Sequence, residues 1–368
     1  MKKVILLFLT ILFLTPSIIF ASEPLSEEFE YDLYRGKVIS VDNNIEVSDG
    51  VRSESQKAEV EIINRDKKGE IVTVYNFLSG DSPYDMKLSE GTIVNINYDG
   101  ENYHFISYDN VRPIVLLSIV FIAILLLIGG VKGIKALAAL LITITIITTF
   151  MIPSLLKGAN PIIVSVITCA LATLVTFLII SGFNKKTLIA TLGTTTGLVS
   201  GGIIAYIFGL FARLSGFSSS DATMLMYLPS GVELDFRGLL FAGIIIGALG
   251  ASMDVSISIA SSLSEIKNQN PNIKMNELVK SGFNIGKDIM GTMVNTLVLA
   301  YVGGSLATLL VFVGFSTSFY HVINLDFVAT EFVRAIAGSV GLLIAIPATI
   351  MFFITFNYNK EENYEKIS

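Results

Sequence analysis

The chain is poor in the residues that run most catalysis and bind most metals. It has one cysteine, Cys169, and two histidines, His104 and His321, in 368 residues. One cysteine forms no internal disulfide and no cysteine-based metal cluster. Set inside an apolar run, it reads as a small packing residue. The histidines stand far apart in sequence, without the spacing of a metal-binding pair. No nucleophile–base arrangement and no phosphate-cradling P-loop can be written from the other residues, so neither enzymatic activity nor a cofactor is expected. Charge is also scarce. Asp, Glu, Lys and Arg make up 15% of the chain, against 52% hydrophobic residues and a mean hydropathy of +0.69. That balance excludes a soluble enzyme and points to a polytopic membrane protein whose main partner is the lipid bilayer.

The net charge of −6 is unevenly placed. Residues 22–111 carry 19 acidic and 8 basic side chains, and the remainder is mildly basic. An acidic region of this kind gives no reason to expect nucleic acid as a partner.

Residues 1–21 open with Lys2 and Lys3, continue through an apolar run from Val4 to Phe20 and end on Ala21. This is the pattern of a signal peptide, and, cleaved or not, it places the next domain outside the cytosol. Residues 22–111 read as an extracytoplasmic all-β domain. YRGKVISV, KAEVEIIN, EIVTVYNFL, TIVNINY and YHFISY alternate or are rich in Val, Ile, Tyr and Phe, with turn compositions such as DNN, SDG, NRDKKGE and YDG between them. Five short strands predict a small Greek-key barrel that is OB-like.

Residues 112–357 read as seven transmembrane helices, at 113–131, 134–153, 161–182, 187–212, 237–263, 288–314 and 333–357. With the β domain outside, the inside loops hold Lys132, Lys135, Lys185, Lys186, Lys267, Lys274, Lys280 and Lys287. The positive-inside rule then gives an N-terminal domain outside and a cytoplasmic tail at 358–368. The fourth span has Gly193, Gly197, Gly201, Gly202 and Gly209, and the fifth has Gly243, Gly247 and Gly250. Both sets have the small-residue spacing of closely packed membrane helices. In the loop that follows the fifth span, Asn276 is suited to cap a short surface helix that Gly282 would stop. Glu331 and Arg334 are placed to pair at i, i+3.

The fifth and sixth spans carry the candidate site. Asp254, Ser258 and Ser261 fall at i, i+4 and i+7, on one helix face, and Asp288, Thr292 and Asn295 repeat that spacing. A carboxylate at membrane depth costs on the order of 2.5–3.5 kcal/mol and faces a bundle interior or a wet cavity. Two such stripes on an antiparallel hairpin satisfy each other by facing. The bland alternative stays open. Ser and Thr also back-bond to their own helix, and Asp288 at a helix start is also explained as a dipole cap.

The runs GALGASMDVSISIASSLSEI, NPNIKMNELVKSGFNIGKD and IMGTMVNTLVLAYVGGSL resemble the YibE/F family of bacterial membrane proteins. MYLPSGVELDFRGLLFAG and FLSGDSPYDMKLSEG are similar to that family too. The resemblance implies a multi-pass, permease-like body in the bacterial plasma membrane. It supplies no substrate.

Two functions follow from these readings. One is a secondary transporter of a small solute or ion coupled to H⁺ or Na⁺. In it Asp254 carries the coupling ion, Ser258, Ser261, Thr292 and Asn295 complete its shell, and Asp288 opens the cytosolic side. Hydroxyl and carboxylate ligands suit protons and hard cations better than soft metals. The other is a non-transporting accessory or assembly protein whose β domain docks an extracytoplasmic protein partner.

Overall fold

The computed structural model describes residues 32–48, 51–78, 85–218, 220–227, 233–315 and 318–358. The signal-peptide reading at 1–21 and nearly all of the tail at 358–368 lie outside the described residues. The chain divides into two compact units, residues 24–128 and residues 129–368, with 1–23 grouped with the latter.

In the first unit, alternation builds the barrel. Strands β1 (Asp32–Ser48), β2 (Val51–Ile62), β3 (Ile71–Leu78), β4 (Ile93–Tyr98) and β5 (Tyr103–Tyr108) close in the order β1-β2-β3-β5-β4. All pairs are antiparallel except β3 with β5. Every second residue points inward, so Tyr34, Val38, Ala58, Val60, Ile62, Val74, Val94 and Ile96 form one buried core. The small barrel expected from the sequence is thus observed. Two boundaries differ: the DNN segment at 42–44, read as a turn, lies within β1, where it pairs with residues 55–57 of β2, and β2 begins at Val51, ahead of the KAEVEIIN run. Asn43 accepts a hydrogen bond from Gln56 Nε2 at 2.8 Å. This ladder pairing overrides the turn preference of Asp and Asn. Gln56 also accepts from the backbone of Leu88 at 2.7 Å and from Asn76 at 3.0 Å, which ties the segment before β4 to the barrel.

The β4–β5 turn gives a pH prediction. Asp99 accepts the backbone N–H groups of Glu101 (2.9 Å) and Asn102 (2.8 Å) and stands 2.8 Å from His104 Nε2. The Asn102 amide first, then those of Glu101 and the His104 ring, hold its carboxyl down from 3.8 to about 2. A depressed carboxylate stabilises the fold above its unfolded pKa, and that contribution is lost as pH falls through the folded value. The turn should therefore stay protected above pH 3.8 and open as pH approaches about 2. Amide-exchange protection at Glu101 and Asn102 reads this window. Asp99→Ala should leave both amides unprotected throughout it.

The second unit is helical. Helix α1 (Val111–Ile146) begins in the first unit and continues into the second; a π-turn (Ile147–Met151) and α2 (Ile152–Leu156) follow it. Next come α3 (Pro161–Ser181), α4 (Lys185–Phe211), the short α5 (Ser220–Met224), α6 (Phe236–Gly247) and α7 (Leu249–Gln269). The chain then forms α8 (Met275–Gly304), α9 (Leu306–Gly314), the short α10 (Phe319–Ile323) and α11 (Asp326–Tyr358). Among the described residues, five helical stretches are long and apolar enough to cross a membrane: Val111–Leu156, Pro161–Ser181, Lys185–Phe211, Phe236–Gln269 and Asp326–Asn357. The count differs from the expected seven for two reasons. The first two expected spans lie in one 46-residue stretch, inside which Gly130 leaves helical geometry at φ 50°, ψ −127°. The sixth, at 288–314, is divided between α8 and α9.

Asn276 and Gly282 also behave differently from the sequence reading. Both lie inside α8, which runs unbroken from the loop into the apolar segment. Gly282 continues the helix because it is buried: a Cβ there would stand 2.9 Å from Ile350 and 3.3 Å from Leu263. Tertiary packing has decided against a stop that local preference allowed.

The glycines of α4 set the core of this unit. A Cβ on Gly197 would lie 2.6 Å from the Gly341 carbonyl oxygen and 2.7 Å from Ala345 Cβ. One on Gly201 would lie 3.0 Å from the Ala337 carbonyl oxygen. Ala337, Gly341 and Ala345 repeat every fourth residue along α11, so small residues on both helices bring the backbones together. Around this seam Ile189, Ala190, Val255, Ile259, Leu263, Leu278, Leu342 and Ile346 are buried in one cluster joining α4, α7, α8 and α11.

The two ends of the bundle are chemically distinct. At one, Lys185 Nζ donates to the Phe356 carbonyl at 3.2 Å and Lys135 Nζ to the Ile180 carbonyl at 3.5 Å. At the other, Asp326 accepts from the Ser215 hydroxyl (2.7 Å) and amide (3.2 Å), and Arg237 Nε donates to the Leu214 carbonyl at 2.9 Å.

Candidate functional site

Helix α7 has two polar faces. The inward face carries Ser252, Val255, Ser256, Ile259, Ala260 and Leu263, all buried. The outward face carries Asp254, exposed on the single chain, with Ser258 and Ser261 half-buried beside it. The three residues grouped by spacing do share a face, and it is the face turned away from the core. On α8, Asp288, Thr292 and Asn295 are likewise exposed, whereas Leu278, Gly282, Gly286 and Leu297 are buried.

The hairpin itself is present. Leu263 lies against Gly282, and Tyr301 lies against Gly247. Interpolation between these two contacts makes the helices antiparallel, with Asp254 level with residues 291–295. The stripes therefore overlap in height along the hairpin. Among the described residues, no hydrogen bond joins any two of the six. Thr292 Oγ1 donates to the Ile289 carbonyl of its own helix at 2.9 Å, the bland behaviour of a membrane threonine.

The bundle interior holds a second polar group that spacing did not single out. Ser252, Ser256 and Thr194 are each 0% exposed, and Thr168 is 2% exposed. Thr194 Oγ1 donates to the Ala190 carbonyl at 2.9 Å and reaches the Ser252 carbonyl at 3.5 Å. The hydroxyls of Thr168, Ser252 and Ser256 have no hydrogen-bond partner among the described residues. Buried hydroxyls left unpaired cost about 1–3 kcal/mol each, so three of them along α3 and α7 mark a place where packing alone is an insufficient account. Their sequence signal was the i, i+4 pair of serines ahead of Ile259 and Leu263. The neighbouring carboxylate drew attention to the opposite face.

Near this group the Phe236–Gln269 span loosens at Ala248 (φ −83°, ψ −8°), between α6 and α7. The Ala248 N–H still reaches the Ile244 carbonyl, and the Ser252 N–H reaches that of Ala248, both at 3.1 Å. The break redirects the helix without freeing its ladder. The glycines of the fifth span do not all pack closely, as had been expected. A Cβ on Gly243 or Gly250 would meet nothing within 4 Å, whereas one on Gly247 is crowded by Tyr301.

A closed β-barrel joined in sequence to a bundle of long apolar helices, with hydroxyls inside and an acid at mid-span, defines a polytopic membrane protein. The family model of the YibE/F-like proteins matches residues 117–359, nearly the whole helical part. The chain belongs to that family. No curated protein and no solved structure matches it.

Proposed function

We propose that this protein is a permease rather than an enzyme: a secondary transporter that moves a small solute or ion across the bacterial plasma membrane, driven by an H⁺ or Na⁺ gradient. The observation that carries this reading is α7, which holds a carboxylate near the middle of a 34-residue apolar span and, on its other face, two serine hydroxyls with no partner among the described residues. A mid-span acid turned to lipid is costly, so its face borders water or other protein. Asp254 carries the coupling ion, with Ser258, Ser261, Thr292 and Asn295 around it and Asp288 towards the lysine-bearing end. Ser252, Ser256, Thr168 and Thr194 line the interior path. The arrangement in the membrane is seven crossings, N-terminal barrel outside and C-terminus in the cytosol. The lysines at one end of the bundle support it.

One observation favours the rival reading, an accessory protein acting through its barrel. Phe77 on β3 is 75% exposed and stacks on His104, with Ile106 of β5 also exposed. Such an apolar outer face suits an extracytoplasmic protein partner. The two readings separate in one experiment: flux in proteoliposomes under an imposed pH or Na⁺ gradient, compared with growth of a strain lacking the barrel. Loss of flux in Asp254→Asn supports the permease. Silent Asp254→Asn, together with a barrel deletion that removes the whole phenotype, transfers the function to the barrel.

A further inference from the structure

The barrel carries a tyrosine cluster beside the β4–β5 turn: Tyr34 on β1, Tyr98 on β4 and Tyr103 on β5. Strand pairing brings them together. Tyr98 is opposite Tyr103 in the β4–β5 ladder and opposite Asp32 in the β1–β4 ladder, so Tyr34, two residues on from Asp32, shares its face. The Tyr98 and Tyr103 ring centroids are 4.7 Å apart, and Tyr103 meets Tyr34 edge to face at 6.1 Å. The barrel itself holds each ring. Tyr34 is a buried member of the core, and Tyr98 and Tyr103 pack against that core. The Tyr98 hydroxyl donates to the Gly100 carbonyl at 2.7 Å.

One cation sits among the three rings. Lys67, on the β2–β3 turn, places Nζ 4.4 Å from the Tyr98 centroid, 5.3 Å from that of Tyr34 and 5.4 Å from that of Tyr103. It donates to the Tyr103 hydroxyl at 2.8 Å. Among the described residues no carboxylate pairs with it, although residues 22–111 hold 19 acidic side chains. The ammonium is thus held by aromatic faces and one phenol oxygen, the chemistry of an aromatic cage. The turn does not depend on this contact. Its backbone is closed by the Ile62 N–H to the Glu70 carbonyl (2.9 Å), the Gly69 N–H to the Ile62 carbonyl (2.8 Å) and the Glu70 N–H to the Lys67 carbonyl (3.1 Å). The rings are set by the barrel and the turn by its own hydrogen bonds. The half-buried Lys67 side chain can therefore leave without undoing either.

We infer that Tyr34, Tyr98 and Tyr103 form a binding site for a primary alkylammonium group, with Lys67 as the resident occupant that an external amine displaces. Three ring faces around one point select a monocation. The Tyr103 oxygen, which accepts from Nζ, selects a cation that still has an N–H to give. The acidic surroundings raise the local concentration of cations. A tethered side chain competes at an effective concentration on the order of millimolar. Wild type therefore answers only to ligand at that level, and a chain without the Lys67 ammonium answers well below it. The site is independent of the permease reading, since flux through Asp254 neither requires nor excludes it.

The test is a ligand-observed NMR titration of the purified full-length protein in an uncharged maltoside detergent. The probe is n-butylammonium, compared with sodium at equal ionic strength and with empty micelles. Saturable binding is expected in wild type, tightened about tenfold or more in Lys67→Ala. Adding Tyr98→Leu to Lys67→Ala should weaken it about fivefold or more. Adding Tyr103→Phe instead should abolish the preference for n-butylammonium over tetramethylammonium while both still bind. Should Lys67→Ala fail to fold, wild type carries the test through acylation by a succinimidyl ester. Tetramethylammonium, which has no N–H to acylate, should speed modification of Lys67 and leave its exposed neighbour Lys68 unchanged. Absence of saturable binding in both wild type and Lys67→Ala, binding that Tyr98→Leu leaves unaltered, or Lys67 acylation that tetramethylammonium does not move overturns the site. Any of these results leaves the permease reading standing, because that reading is judged by flux in Asp254→Asn.

Discussion

Gly197→Val should prevent stable assembly of the helical unit. The neighbours that a side chain would meet are the Gly341 carbonyl oxygen at 2.6 Å and Ala345 Cβ at 2.7 Å. Neither is the end of a flexible chain, so neither can swing aside. The helices must separate, and separation also pulls Gly201 away from the Ala337 backbone. Overpacking usually costs about 1–3 kcal/mol, and a clash against backbone on both sides places this substitution at or above the upper end. The control is Gly243→Ala on α6, where a Cβ meets nothing within 4 Å. There the intrinsic helix preference dominates, and a gain of up to about 1 kcal/mol is expected. Unfolding midpoints in a single detergent compare the two. If Gly197→Val melts with wild type, the α4–α11 seam is not the contact that holds the bundle.

These two glycines also show how far the sequence could be read. Small-residue spacing was visible on both α4 and α6–α7, and it is real on α4. It could not identify the partner, because Ala337, Gly341 and Ala345 stand more than a hundred residues away in sequence. Nor could it show that Gly243 and Gly250 border open space. In the barrel the legibility was better. Period-two alternation specifies an inward face directly, and all five strands were found. The reach of β1 through DNN and the start of β2 at Val51 were missed, since ladder pairing is not a local property.

Helix α7 was the ambiguous case. Its outward stripe of Asp254, Ser258 and Ser261 and its inward stripe of Ser252 and Ser256 are both polar. Periodicity places residues on common faces but does not say which face is inside. Val255, Ile259 and Leu263 decided that, by packing into the cluster with α4 and α11. The hydroxyls of Thr330 on α11 and Tyr301 on α8, unpaired among the described residues, have no local sequence pattern. The sequence shows only the local Glu331–Arg334 pair.

Asp254→Asn should reduce gradient-driven flux roughly 10- to 150-fold, the range set by losing one charged interaction of about 1.5–3 kcal/mol. The substitution is close to isosteric, and Asp254 is exposed on the single chain with no hydrogen-bond partner among the described residues. It therefore removes a charge from the middle of a span without disturbing a packed contact. The unfolding midpoint should stay or rise, because a neutral amide is cheaper at membrane depth. That combination, lost flux with retained stability, separates a coupling residue from a structural one. Ser256→Ala supplies a parallel test on the inner face. It removes a buried hydroxyl that has no partner among the described residues, so relief of the unpaired group raises stability while the interior path loses an oxygen. If the two serines only pack, Ser256→Ala transports as wild type does and is more stable. If they line the path, flux falls although stability rises. Both substitutions thus set stability against transport, and a purely structural role for α7 predicts no loss of flux in either.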